Sequence, residues 1–401
     1  MIKIKSRLLI IFIFLVSFNV NAQHPKPLLS LADSSLHVFV GGKIRTSMLM
    51  SNKRTFPSGT AFLLLPKDAT GEESSFDLNA RSSSLYFALD GPKVGDFKLS
   101  GMMFFMLTSN VTSETYGILP SLLYVDLKND HWRFAFGQQM DVFAERIPNM
   151  IDSYFALASS GCAGNSSRGQ IRAERYFSVG KKGKFSLTAA ASEPITSYFS
   201  PDLSNNTTDN GMPNIEWAAK YSSGKDATAW VPYDNLELAV SGVSGSYRVF
   251  KNDINGANIR VNHPQVFGIA GEYAFRFGKR FGIQGEVYNG KALGNYAASI
   301  FQTTKGDFDK EIRSTGFWSE LAFYWKKNIQ TRVGYGQDKC NESDLMGLGI
   351  LQNSTLFGNL IWDINPSLQI GTEVSYKQTD YLAPLKNNQG VTAMLMAQYK
   401  F

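Results

Sequence analysis

Along most of the chain, hydrophobic positions recur at every second residue. In 131–139, Trp132, Phe134 and Phe136 take one parity, and Arg133, Ala135 and Gly137 take the other. In 168–179, Arg168, Gln170, Arg172 and Glu174 share one face, while Ile171, Ala173 and Phe177 share the opposite one. Side chains of a strand alternate between faces, so each segment has one apolar wall and one polar wall. The same alternation predicts strands over 36–50, 78–90, 96–108, 117–128, 131–139, 168–179, 184–192, 214–222, 236–250, 265–277, 281–288, 315–325, 328–337, 355–363, 367–377 and 390–401. Tight turns such as 91–95, 129–130 and 278–280 join them on one side, and eight longer loops join them on the other. About sixteen strands with this rhythm, both termini on the short-turn side, describe an all-β transmembrane antiparallel barrel with short periplasmic turns and long extracellular loops. Within 236–250 the parity shifts near Gly242, which predicts a bulge or a changed register there.

Outward-parity aromatics cluster beside the short turns: Phe97, Trp132, Phe177, Phe185, Phe275, Phe277, Phe281, Phe323, Trp325 and Trp362. Amphipathic rings settle at the headgroup level, so these predict a girdle facing outer-membrane lipid. A soluble β-sandwich with an aromatic inner face would show the same alternation. At this length it would need two or more domains, and no linker or break in composition divides the chain. In the last segment Val391, Ala393, Leu395, Ala397, Tyr399 and Phe401 alternate with polar and softer residues up to the terminus. This ending resembles the signal read by the outer-membrane assembly machinery, which makes that machinery an expected partner. An ordinary edge strand stopping there by chance would look alike.

Residues 1–22 read as a cleavable signal peptide, with Lys3, Lys5 and Arg7 ahead of an apolar run and a small-residue site at 20–22. The run is shorter than the roughly 20 residues that a spanning helix needs. A short periplasmic lead over 23–35 and a barrel over 36–401 complete the expected organisation, and export places the chain in the outer membrane of a Gram-negative-type cell. The formal charge of +6 falls to +3 without the peptide, because three of the 40 basic residues and no acid leave with it. The basic balance is therefore mostly targeting signal and implies no nucleic-acid partner. The mean hydropathy of −0.16 suits a barrel, in which lumen-facing polar residues alternate with lipid-facing ones. Cys162 and Cys340 fall in predicted loops, and an exported protein can oxidise them. Whether they come within bridging distance is not readable from sequence.

A closed sheet of about sixteen strands leaves an interior too wide for side chains to fill, hence a water-filled channel. Charges and any loop folded inward then decide what passes. The lumen-parity arginines Arg45, Arg133, Arg168, Arg172 and Arg332 form the first candidate group. Guanidinium binds carboxylate or phosphate in a bidentate way. Equally, these arginines could neutralise lumen acids such as Asp126, Glu174, Glu216, Glu286, Glu320 and Glu373. The second candidate is the insert 140–167, where Asp141, Glu145, Arg146 and Asp152 surround an Ile147-Pro148-Asn149 step, with Phe143, Tyr154 and Phe155 as its apolar side. Folded into the lumen, it would set acids against the arginine wall and form a constriction; the alternative is a loop lying over the rim. The four histidines make no metal-binding spacing, no nucleophile elbow is present, and no cofactor is implied.

The runs RSSSLYFALDGPKVGDFKLSG (81–101), LLYVDLKNDHWRFAFGQQMDVFAERIPNMID (122–152) and RGQIR (168–172) resemble the DcaP-like outer-membrane porins. The resemblance covers roughly residues 78–193; beyond that only the strand rhythm matches. It implies a sixteen-stranded homotrimer that takes up small, often negatively charged solutes, with Arg168 and Arg172 lining the narrow zone. After Asp152 this chain departs from the family, reading SYFALASSGCAGN where a glycine-rich continuation is expected. The reading of the whole is an outer-membrane porin for small hydrophilic, preferentially anionic solutes. An outer-membrane β-barrel hydrolase or a closed structural barrel is the alternative.

Overall fold

The computed structural model describes residues 29–30, 36–56, 61–68, 70–109, 116–151, 157–164, 166–194, 206–208, 210–252, 258–305, 310–347 and 349–401. The signal-peptide segment 1–22 and Asp152, Tyr154 and Phe155 lie outside these residues. Within the lead, Leu29–Ser30 pairs antiparallel with His37 and Val38.

Sixteen antiparallel strands close on themselves. In chain order they are β1 His37–Ser51, β2 Ser84–Val94, β3 Phe97–Ser109, β4 Tyr116–Lys128, β5 Trp132–Met140, β6 Ser167–Val179, β7 Gly183–Ser192 and β8 Asn214–Ser223. The second half comprises β9 Leu236–Ser246, β10 Gln265–Phe277, β11 Phe281–Lys291, β12 Arg313–Lys326, β13 Ile329–Cys340, β14 Ile350–Asp363, β15 Leu368–Tyr381 and β16 Asn388–Lys400. Each pairs with its sequence neighbour, and β16 returns to β1 with Lys43 opposite Lys400 and Ser51 opposite Thr392. Gly42 and Phe401 exchange both backbone hydrogen bonds at 3.0 and 3.1 Å, which finishes the seam. Closure leaves no sheet edge to expose unpaired amides to hydrocarbon.

The predicted fold class stands, and each predicted strand has a counterpart within a few residues. Three differences have physical causes. The strand predicted over 78–90 is broken: Ser75–Asn79 and Ser84–Val94 pair with β1 in turn, and residues 80–83 step out between them. There the Ser83 hydroxyl accepts from the Arg45 amide at 2.9 Å and donates to the Arg45 carbonyl at 3.2 Å, taking the place of a ladder rung. At Gly242 there is no bulge, because β9 pairs in unbroken register with both β8 and β10. The parity shift arises because Val243 is an apolar residue facing the lumen, where it packs with Phe143 and Tyr247. The strand ends at Ser246, and Arg248–Asn252 belongs to a separate hairpin with Asn258–Asn262. Third, Cys340 ends β13 and does not lie in a loop; both cysteines are free and sit in different apolar clusters.

Outward aromatics form contacts next to the short turns. Trp132 stacks on Phe134 at 5.6 Å, Phe177 meets Phe185 at 6.0 Å, and Phe323 bridges Phe281 at 4.7 Å and Trp325 at 4.6 Å. The lumen is filled unevenly. Lumen-facing side chains of β10–β16 are mostly buried, those of β2–β4 remain partly exposed, and the middle stretches of β2–β4 are apolar on both faces.

Three long loops and one turn do the filling. They are the described residues of 52–74, 141–166 and 292–312, and the turn 224–235, whose Val231 and Tyr233 pack on Ala274 and Tyr324. Phe62 and Leu63 from the first loop meet Ala158 of the second and Ile300 and Phe301 of the third in one cluster. At the rim of the long-loop end, Asp344 accepts from Arg313 Nε at 2.6 Å and pairs with Lys310 at 2.6 Å. Burial opposes its ionisation, but these hydrogen bonds outweigh it and hold the carboxyl below its usual range.

Two outcomes follow for measurement. Leu187 faces outward and its neighbour Thr188 faces the lumen, so Leu187→Arg should cost about 2–4 kcal/mol near the bilayer midplane, and Thr188→Arg less than about 1 kcal/mol. Denaturant unfolding from lipid vesicles distinguishes them. Because the folded Asp344 carboxyl is depressed, its contribution is complete above about pH 4 and is lost as the pH falls through its folded value. Hydrogen exchange at the Arg313 and Asp344 amides should accelerate only in that acid range.

Candidate pore-lining and loop-docking site

The described segments 141–151 and 157–164 run inside the barrel, and several of their backbone amides are bound by wall side chains. Val142 and Phe143 amides donate to Glu216 on β8 at 2.5 and 3.2 Å, and the Ala144 amide to Ser241 on β9 at 2.9 Å. Further across, the Asn149 amide donates to Glu320 on β12 at 2.9 Å and the Ile151 amide to Glu373 on β15 at 2.8 Å. On the return, Asn353 on β14 donates to the Ser159 carbonyl at 2.9 Å, and the Ala163 amide donates to Glu286 on β11 at 2.9 Å. An amide buried without a partner costs about as much as a lost hydrogen bond or more. One carboxylate per strand across β8, β11, β12 and β15 supplies charge-assisted acceptors along the loop's path.

Gly161 shows how close the approach is. Its φ is +95°, and a Cβ there would lie 2.1 Å from the Phe317 carbonyl oxygen. No L side chain fits that conformation and that gap. Beneath the loop, Cys162, Met150, Leu157, Trp318 and Phe357 form an apolar cluster. The apolar Trp318 and Phe357 therefore belong to lumen faces, because they meet protein there and not water.

The arginines are not equivalent. Arg168 is 1% exposed. Its Nε donates to Asp141 at 2.5 Å, its Nη2 donates to the Asn295 carbonyl at 2.8 Å, and its guanidinium stacks 3.8 Å from the Tyr296 ring centroid. It locks the start of the 141–164 loop to the 292–312 loop and does not line open space, which corrects the expectation from the resemblance. Arg45 donates to the Ile151 carbonyl and to Ser47, holding the far end of the same loop. Arg332 pairs with Glu320 at 2.7 Å and also donates to Tyr233.

Arg133 and Arg172 lie nearer open lumen. Arg133 donates to Asp126 at 2.7 Å, Glu174 at 2.6 Å and Gln139 at 3.1 Å. Arg172 donates to Gln170 and the Met140 carbonyl, with Glu145 3.6 Å away. From the loop, Arg146 donates to Glu237 at 2.6 Å and Gln284 at 2.8 Å, and Glu145 lies 3.9 Å from Lys220. Every candidate arginine thus has an acid or carbonyl partner.

Sequence reasoning missed three features. Most of the lumen-facing wall glutamates hold loop amides; their signal was one lumen-parity glutamate on each of several strands. The 292–312 loop also enters the barrel, with Leu293, Tyr296 and Ile300 fully buried. A second set of cations also lines the lumen. Lys43, Lys98, Lys128, Lys184, Lys220 and Lys400 all take lumen parity near the short-turn ends of β1, β3, β4, β7, β8 and β16. Lys128 and Lys184 flank the Tyr176 ring at 5.6 and 4.1 Å. Among the described residues, no group of three His, Cys, Asp or Glu side chains is placed to hold a metal ion.

No protein-family model and no curated protein sequence matches the chain. Solved structures do match. The outer membrane channel DcaP of Acinetobacter baumannii superposes with a TM-score of 0.69 at 14% identity, over 92% of this chain and 99% of that one. An anion-selective porin from Comamonas acidovorans gives 0.58 at 10% identity, over 91% and 100%. The trimer form of OmpT, an outer membrane protein of Vibrio cholerae, gives 0.53 at 11% identity, over 92% and 100%. The fold is therefore that of the outer-membrane porins.

Removing the Arg168 guanidinium leaves Asp141 buried without its ion pair. Arg168→Ala should lower stability by about 3–5 kcal/mol, and adding Asp141→Asn should recover part of that loss. Urea unfolding of the two variants, followed by tryptophan fluorescence, measures both.

Proposed function

We propose that the chain is an outer-membrane porin, a diffusion channel for small hydrophilic solutes that favours anions. The observation carrying this reading is the division of the lumen. One half is packed by docked loops, whereas along the middle of β2–β4 and the short-turn ends of β5–β8 lumen-facing side chains stay partly exposed, with six lysines near the short-turn mouth. Acids answer three of the six, with Asp90 2.8 Å from Lys98, Asp363 3.8 Å from Lys400 and Glu145 3.9 Å from Lys220, and the surplus of positive charge raises the local concentration of anions. Similarity to a porin described as anion-selective supports the same preference.

Export by the 1–22 segment, insertion through the Phe401 ending, and outer-membrane lipid around the aromatic belt complete the proposal. We assign the chain a homotrimeric state, with the outward faces of β2–β4 at the subunit contact. Those faces are apolar from end to end, with Leu85, Leu89, Met103, Phe105, Leu123 and Val125 among their residues. A similar fold described in trimer form supports this. Arg133 and Arg172 are the arginines nearest the path; Arg45, Arg146 and Arg168 together with Asp141 hold the loop that narrows it, and Glu145 faces the opening.

Planar-bilayer recordings in a KCl gradient test the reading. The unaltered protein should give openings in groups of three with an anion-selective reversal potential. Converting Lys98, Lys128 and Lys184 to glutamate should lower the anion-to-cation permeability ratio by about fivefold or more. An unchanged reversal potential would mean that these lysines do not set selectivity.

A further inference from the structure

Resting on that channel reading, we infer that the lumen carries an apolar rail that selects monoanions with an unbranched alkyl body. The rail lies on β3 and β4. From the lysine mouth outward, the lumen-facing residues of β3 run Lys98, Ser100, Met102, Phe104, Met106, and those of β4 run Lys128, Asp126, Tyr124, Leu122 and, past a one-residue irregularity, Leu119. Ser100 donates to Asp126, which also accepts from Arg133, and this fixes the lumen side of the register. Met102, Phe104, Met106, Leu119, Leu122 and Tyr124 are therefore turned to the interior, and each remains partly exposed.

Lumen-facing apolar residues on the opposite wall, such as Trp318 and Phe357, are covered by docked loops. The apolar residues on β3 and β4 remain partly open to the lumen, on the wall that the water-filled half includes. Leaving apolar surface in water is unfavourable in proportion to its area, and an apolar solute segment laid on it removes water from both.

The shape narrows the choice of solute. With Tyr86 and Ala88 of β2 opposite Phe104 and Met102, the strip is three strands wide, roughly 10 Å, and along β3 from Met102 to Met106 it extends about 14 Å. A flat ring would touch only part of that length, whereas an extended chain follows it. Flexible methionines adapt to such a chain. At the inner end Lys128, and Lys98, which also holds Asp90 at 2.8 Å, stand on the same two strands and the same face, so a carboxylate head reaches the ammonium of Lys128 while its tail still lies on the rail.

The test uses the full mature protein in planar bilayers, with octanoate and gluconate as probes that carry the same charge. Octanoate should block the chloride current at a concentration about tenfold lower than gluconate. Phe104→Ser with Leu122→Ser should raise the octanoate concentration needed by about tenfold and leave gluconate block unchanged. If that pair fails to insert, Met106→Thr, at the outer end of the rail, makes the same comparison. Equal block by the two anions, or octanoate block that survives the substitutions, overturns the inference. Either result with normal chloride conductance leaves the channel reading standing, whereas absence of any chloride current removes both.

Discussion

The interior of this barrel is organised by carboxylates that accept hydrogen bonds from a loop's backbone. A sheet of sixteen strands encloses more space than its side chains can fill. An irregular chain can occupy that space only if its amides find acceptors. Glu216, Glu286, Glu320 and Glu373 supply them on strands spread around half the wall. Arg168 and Asp141, stacked beneath Tyr296, fix where the loop departs from β5, and Arg45 fixes where it arrives. Remove these acceptors and the division of the lumen into a packed half and an open half has no basis.

That division explains how the charges are used. Arginines sit mainly where guanidinium can hold several acceptors at once, as in the Asp126–Arg133–Glu174 set and the Arg332–Glu320 pair. Their charge is largely answered by acids within reach. Lysines occupy the mouth, where a flexible ammonium can remain hydrated and act on passing ions. Architecture by arginines, and in the channel we propose selectivity by lysines, is a division of labour consistent with their chemistry.

The strands were legible because the barrel's two solvents impose strict alternation. The outward parity of Phe177, Phe281, Trp325 and Tyr399 is the same in sequence and structure, and all four are exposed on the outer face. Reading failed where a lumen-facing residue meets another piece of protein. Val243 looked like a register shift because a docked loop makes an apolar lumen residue favourable. Arg168 looked like a pore residue because its burial depends on Tyr296, which arrives from a distant loop with no alternating pattern of its own. The resemblance located the loop's segment but not the roles of the arginines around it.

The most direct test of the account is the reach of a charged, water-soluble thiol reagent in the assembled protein. The native Cys162 and Cys340 are buried and should not react. Thr188→Cys, on the open wall of β7, should be modified and the ion current reduced, and Ser375→Cys, behind the docked loops on β15, should be protected. Protection at both positions would mean a closed barrel, and modification at both would mean that the loop does not stay docked against the wall.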